Sequence, residues 1–368
     1  PLFVRAKEWG EETRCYELPG GASLLTEREA YELYVEIVRK TLWHEVNQSL
    51  GARTVVGFRG THPGEFLWNE NRPNRFNDTL VLLWQDSQGP HVREFPVVTD
   101  TGAVDFGYHS SSSLRPNRHY SYSNSWHRSY NALKMQEWGY RVRDDSNHNG
   151  HWDGDRNGWY SGGDADHDRT GAGHNIHMAS KNAPLYFASV NNWSAGCQVI
   201  PGVANWNEFL TNAWTGLGDS VDYFLIDTRD IAPAVWRECD EDLGTHICPF
   251  EIRQFPFVHS GNTAASSESR NDIYNCSPAN ESGPEVVYVI NLRESGTLSF
   301  SVGVEDEDLV DPDVHLLWGN DSRACLSRAH RGTSYSVGPG RYLIVVDTWV
   351  NAQGEVLSGE YELSVDFD

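Results

Sequence analysis

Asn175-Ile176-His177-Met178 and Trp193-Ser194-Ala195-Gly196-Cys197-Gln198-Val199-Ile200, whose cysteine lies twenty residues beyond the histidine, are the segments that decide the fold. The first is a short apolar run interrupted by a histidine. The second is a Ser-x-Gly-Cys turn that feeds a Val-Ile pair. The pattern predicts a strand, a loop, a tight turn and a second strand. A cysteine is a usable nucleophile only where its thiolate is accessible and a base or positive field assists it. Glycine ahead of it lets the backbone approach a substrate carbonyl and aim N–H groups at it. Cys197 is therefore the expected nucleophile and His177 its base. Ser194 shapes the turn, and the N–H groups around Ala195, Gly196 and Cys197 are expected to hold an oxyanion.

Moving upstream, the segment 26–50 carries the best helical pattern. Thr26 and Glu29 make a capping box, Ala30, Leu33, Tyr34, Ile37, Thr41 and Leu42 share a face, and Gly51 is the expected stop. From Thr54 the period becomes that of strands: 54–58, 79–84, 94–98, 120–133, 140–143, 173–178 and 197–200, with Gly, Asn and Pro clusters between them. A second helix is expected to open at Trp206 to Leu210.

Between residues 144 and 173 the chain is rich in Asp, Asn, Gly and His. Asp145, Asn147 and Asn149 alternate ahead of Gly150, with Asp153 further on, as in the first half of an EF-hand loop. Arg156 stands where the bidentate Glu would close such a loop. Asp164, Asp166 and Asp168 form a second alternating set. Calcium is the natural ion for hard oxygen donors so spaced, in a structural role that orders the loop leading to His177; a solvated polar loop is the other reading. Catalysis requires no cofactor.

Residues 230–368 read as a separate domain. A Ser/Asn-rich linker at 260–275 precedes five alternating runs, at 285–290, 297–302, 314–318, 340–347 and 359–365, which predict an antiparallel sandwich. The chain as a whole is expected to be mainly β with some α.

A formal charge of −23 over 368 residues excludes nucleic acid as a partner, since phosphate binding needs clustered Lys and Arg. No apolar run reaches the ~18 residues of a membrane span, so no membrane insertion is expected. A start at Pro1 without Met suggests a processed or trimmed chain. Six cysteines occur, at 15, 197, 239, 248, 276 and 325. If 239 pairs with 248 and 276 with 325, the protein is secreted or periplasmic, in the cell envelope. Cys15 and Cys197 remain, either as a third bridge or with Cys197 reactive; the Ser-x-Gly-Cys context favours the thiol.

His177, Ser194, Gly196 and Cys197 fall where the L,D-transpeptidase (YkuD-like) family has its signature, and this chain resembles a divergent branch of that family carrying Asn-Ile-His and Trp-Ser-Ala-Gly-Cys-Gln-Val. Further likeness lies in Val56-Gly57-Phe58-Arg59-Gly60, Phe76-Asn77-Asp78, Val98-Thr99-Asp100-Thr101-Gly102 and Trp126-His127. Residues 1–229 would then be the catalytic domain. Residues 230–368 resemble a bacterial pre-peptidase C-terminal (PPC) domain through Pro284-Glu285-Val286-Val287-Tyr288, Asp313-Val314-His315-Leu316 and Gly338-Pro339-Gly340-Arg341-Tyr342-Leu343. The resemblance implies a peptidoglycan stem peptide as donor, cut at its L- to D-centre bond through a thioester on Cys197. It also implies a backbone carbonyl, here that of Met178, orienting the histidine.

Ala195 and Val199 replace polar family residues, which tilts the expected outcome from amine transfer toward hydrolysis. Arg59, His127, Trp193 and Ala195 are the expected substrate contacts, Arg59 because its planar fork suits a carboxylate. His174 receives a minor role, pointing away from His177 on an extended run. Two rival readings stand beside this one: a zinc peptidase using His174, His177, His127 or an Asp of 164–168, and a calcium-dependent wall-binding or adhesive module with a structural Cys197.

Overall fold

The computed structural model describes residues 6–7, 15–16, 25–64, 66, 68–69, 71, 74–102, 112–144, 168–180, 189–236, 239, 243–246, 248–306, 309–318 and 325–368. The chain divides into two compact units, one running to Ile231, the other containing Ala232–Asp368.

In the first unit, β1 (Ala6–Lys7) and β2 (Cys15–Tyr16) pair with each other. Helix α1 spans Glu27–Leu42. Strands β3 (Arg53–Arg59), β4 (Asp78–Asp86), β5 (Gly89–Val97), β6 (Ser112–Leu114), β7 (Arg118–His127), β8 (Tyr130–Met135), β9 (Trp138–Asp144), β10 (Asp168–Ala172), β11 (Ile176–Met178) and β12 (Gln198–Ile200) follow. Helix α2 (Val203–Ala213) and strand β13 (Ser220–Asp227) complete it.

Thr26 and Glu29 cap α1 reciprocally, as their spacing requires. The helix stops at Leu42, eight residues short of the expected end, because Trp43 adopts a left-handed conformation. Tyr34 on its buried face packs on Phe58 of β3 at 5.6 Å between ring centroids.

Eight strands form one sheet in the order β12-β11-β8-β7-β13-β3-β4-β5. Its two ends meet: Val98, just past β5, bridges Val199 of β12 through a reciprocal pair of 3.0 Å hydrogen bonds. The sheet thus curls until β5 and β12 touch. β13 lies at the centre, parallel to β3 and antiparallel to β7. It was not anticipated, although Val221-Asp222-Tyr223-Phe224-Leu225-Ile226 is a nearly continuous apolar run of the kind buried central strands show. One face of the sheet, with Val55, Leu80, Tyr122, Leu133, Ile176, Ile200 and Tyr223, shares a cluster with Trp206 and Phe209 of α2. A second, three-stranded sheet runs β10-β9-β6.

The second unit holds β14 (Phe250–Ile252), β15 (Phe257–Asn262), β16 (Val286–Leu292), β17 (Gly296–Gly303), β18 (Pro312–Trp318), β19 (Cys325–Ala329), β20 (Gly332–Val337), β21 (Gly340–Thr348) and β22 (Glu360–Phe367). They form two sheets, β14-β16-β21-β18-β19 and β15-β22-β17-β20, antiparallel except for the β14–β16 pair. Both sheets contribute to one core, including Tyr288, Ile290, Phe300, Leu316, Trp318, Ile344 and Leu363. The expected linker is corrected in part. Ser260 to Asn262 belong to β15, and Tyr274 is buried with its hydroxyl on Asp347, 2.6 Å away. Disulfides join Cys239 to Cys248 and Cys276 to Cys325.

Candidate active site

His177 sits in the middle of β11, and Cys197 directly precedes β12. These strands are parallel, with His177 opposite Val199. Side chains alternate along a strand, so Cys197, two residues before Val199, projects to the same side as His177. Strands about 4.8 Å apart with a rise of about 3.3 Å per residue separate the two Cα atoms by about 8 Å, a span these side chains can close between them. That face carries the apolar cluster of Phe76, Val98, Ala179, Val190 and Val199, on which Cys197 packs.

His177 Nδ1 lies 2.8 Å from the Met178 carbonyl oxygen. A carbonyl accepts only, so Nδ1 carries the proton and Nε2 keeps its lone pair. Burial drives the imidazole pKa down to about 4, against the Met178 bond; the neighbouring His127 and Arg128 lower it further. His127 stacks on His177 with centroids 4.3 Å apart and planes 7° from parallel. Asn175 Nδ2 lies 3.4 Å from His127 Nδ1, and Asn175 Oδ1 accepts from the Met135 N–H.

Cys197 is a half-buried free thiol. Burial pushes its pKa up to about 11, opposed by the backbone N–H of Asn175 and the charge of Arg128. The thiol is directed at the Gly173 carbonyl, 3.7 Å away, and no hydrogen bond joins it to His177. A cavity of about 530 Å³ opens beside it, lined by Ser112, Gly173, His174, Ala195 and residues of β10.

The turn ahead of Cys197 is fixed from several directions. Ser194 is buried; its Oγ is 2.8 Å from the carbonyls of both Asp100 and Cys197 and accepts the Gly196 N–H at 3.0 Å. This corrects the expected oxyanion set, since the Gly196 donor is engaged inside the turn. Gly196 is at φ 128°, where a Cβ would stand 1.7 Å from the Ser112 carbonyl oxygen. Only glycine fits there. Gln198 donates to the Gly196 carbonyl at 3.0 Å and accepts from Tyr223 at 3.1 Å.

Arg59 is corrected from a substrate contact to a buried structural cation. It is 1% exposed, pairs with Asp100 at 3.0 Å, and donates to Thr99 Oγ1 and to the carbonyls of Thr99 and Leu114, each at 3.0 Å. Asp78 accepts from Gly60 and Thr99 in the same network. Through the Asp100 carbonyl this network reaches Ser194. Trp193 and Ala195 are exposed on either side of Ser194. Asp145, Asn147, Asn149, Asp153, Asp164 and Asp166 lie outside the described residues; Asp168 begins β10, and its side chain is likewise outside them.

Sequence reasoning assigned no role to Asn175, Gln198, Asp100, Ser112 or Tyr140, and only a minor one to His174. The quoted motifs named Asn175, Gln198 and Asp100 without their function; Ser112, Tyr140 and His174 meet across long sequence separations that periodicity does not register. The histidines of the zinc alternative do not converge. His174 bonds to Tyr140 and Ser112, whereas His127 stacks on His177. Among the described residues, groups of three metal-ligating side chains occur only in the second unit: Cys276, His315 and Cys325, whose sulfurs are bonded to each other, and His246, Glu268 and Glu285.

No family profile and no curated protein matches the chain. Among solved structures, it is similar to the pre-peptidase C-terminal domain of a collagenase from Bacillus anthracis (16% identity, TM-score 0.23, 35% of this chain and 100% of that one). It is also similar to PliG, a periplasmic inhibitor of g-type lysozyme from Aeromonas hydrophila (12% identity, TM-score 0.23, 34% of this chain and 98% of that one). A third is CBM35 from Cellvibrio japonicus Abf62 (13% identity, TM-score 0.18, 30% of this chain and 92% of that one).

Proposed function

We propose that the chain is an exported cysteine enzyme of the L,D-transpeptidase type, acting on peptidoglycan stem peptides, with a PPC-like sandwich as its accessory unit. The observation that supports the proposal is a free thiol at a cavity, directly ahead of a strand that runs beside the one carrying an imidazole whose Nδ1 is held by a carbonyl. An Nε2 lone pair so fixed is what a general base needs.

In this reading His177 Nε2 takes the Cys197 proton as sulfur attacks the carbonyl carbon after the diamino acid. The C–N bond breaks, the leaving amine takes the proton back, and a thioester remains. The N–H groups of Ala195 and Cys197 are the candidate oxyanion donors, a contribution of roughly 2.7–4 kcal/mol per donor in such sites. Water then releases the acid, or an amine forms a new amide; hydrolysis is the favoured outcome because Ala195 and Val199 offer no polar group to an acceptor. Two disulfides support export.

The test is incubation with purified muropeptides followed by mass spectrometry of products and of the intact protein. Stem-peptide cleavage with a thioester on Cys197 is expected, and Cys197→Ala and His177→Ala should each abolish turnover while leaving the far-UV spectrum intact. Wild-type turnover by either variant overturns the proposal.

A further inference from the structure

Strand β9 carries an extra residue opposite β10. Gly171 pairs with Tyr140 and Ala172 with Trp138, so Gly139 stands unpaired between them, in the left-handed region at φ 70°. A glycine bulge of this kind shifts the alternation of side chains along its strand and re-aims the residue beside it. Tyr140 and Val142 are buried, whereas Trp138, which unbroken alternation would put on their face, is 78% exposed. An indole so displayed forgoes the burial that its large apolar area would otherwise gain.

Trp138 stands at the rim of the cavity beside Cys197. Gly139, its neighbour in the chain, and Ala172, its partner across the ladder, both line that cavity. The wall continues through Gly171 and Gly173, and no atom lies within 4 Å of where a Cβ on Gly139 or Gly173 would stand. The lining is thus an open trough of small residues with an aromatic plate at its edge. Cys197 Sγ is 3.7 Å from the Gly173 carbonyl oxygen. The connection through Gly173 and Ala172 then puts the Trp138 Cα within about 15 Å of the sulfur.

A pyranose ring lays its axial C–H groups, which carry slight positive charge, on the negative face of an aromatic ring, and indole offers the broadest such face. In a stem peptide the diamino acid whose carbonyl the thiol attacks is the third residue from the muramyl sugar. Three extended residues span about 10 Å, so the sugar falls within reach of the Trp138 side chain.

We infer that Trp138 is a glycan platform, stacking on a sugar ring of the disaccharide that carries the stem peptide, so that the preferred donor is glycan-linked and not free peptide. The inference rests on the stem-peptide reading above and narrows its substrate. Trp138 sets specificity by holding the sugar, away from the reacting atoms.

Steady-state kinetics on the full chain, with a disaccharide-tetrapeptide and with the sugar-free tetrapeptide of the same sequence, test this. The wild-type protein is expected to favour the disaccharide substrate by about tenfold in kcat/KM, the size of one aromatic stacking contact. Trp138→Ala should erase that preference through a raised KM on the disaccharide substrate, and Trp138→Phe, which keeps a ring, should retain part of it. Equal kcat/KM on the two substrates in the wild-type protein, or an unchanged preference in Trp138→Ala, overturns the inference and leaves the stem-peptide reading standing. Wild-type protein that cleaves neither substrate overturns both.

Discussion

Cys197 and His177 are neutral partners at pH 7, because burial lifts the thiol to about 11 and lowers the imidazole to about 4. A preformed thiolate–imidazolium pair is thereby disfavoured, and in the proposed mechanism proton transfer would accompany attack. Alkylation of Cys197 by iodoacetamide should rise about tenfold per pH unit from 7 to 10, tracking the thiolate fraction. A plateau below pH 8 would contradict this pairing. The same depression makes His177 a liability in acid. Its folded pKa lies below the unfolded value of 6.5, so above that pH it has no effect, and below it the unfolded chain gains a proton that the folded chain refuses. Stability should fall by about 3 kcal/mol between pH 6.5 and 4 from this group, and His177→Gln should flatten that limb in urea titrations. Gly196→Ala is expected to cost both activity and roughly 2–4 kcal/mol of stability, since the new methyl meets backbone at a left-handed position. At this scale the sequence names the glycine, the cysteine and the histidine. It misnames Arg59, because a guanidinium on the page looks the same whether it greets a ligand or is sealed behind Asp100.

Among elements, α1 is legible because its signals are local: a capping box, an apolar stripe and acidic residues in the first turn. Thr26→Ala should cost about 1 kcal/mol, a drop of about 2–4 °C in the melting midpoint of a unit this size. β13 is held between β3 and β7, pairings set across about a hundred residues or more of sequence, and no neighbouring residue announces them. Arg59 belongs here too, since it ties the end of β3 to the segment after β5 and to Leu114 of β6. Arg59→Met should destabilise by about 3–5 kcal/mol, leaving Asp78 and Asp100 buried with less compensation, as urea unfolding would reveal. A variant of wild-type stability with only a raised KM would return Arg59 to the substrate.

On the scale of the whole molecule, each of the two units has its own core, and the disulfides lie in the second. Cys276–Cys325 spans 49 residues and Cys239–Cys248 spans 9. Loop closure entropy then assigns about 4 kcal/mol to the first and about 2.5 kcal/mol to the second. Cys276→Ser/Cys325→Ser should thus lower the unfolding free energy of the second unit more than Cys239→Ser/Cys248→Ser does, as read by denaturant midpoints; the reverse order would contradict a chain-entropy origin. Within the second unit, buried His315 is pushed down to about 3, which adds to the acid sensitivity already expected from His177.

The sequence by itself determined what is local: the α1 cap, the strand periods, the glycine that a Ser-x-Gly-Cys turn requires, and a mainly β chain. These are contests between a residue and its near neighbours, settled by backbone sterics and side-chain alternation. Tertiary structure alone decided which distant groups share a space. The β11–β12 register puts His177 and Cys197 on one face, the Val98–Val199 bridge brings the ends of the sheet together, and Tyr140 and Ser112 are brought into contact with His174. Burial fixed the rest, since the same imidazole, thiol or guanidinium changes charge preference and availability with the water it has lost.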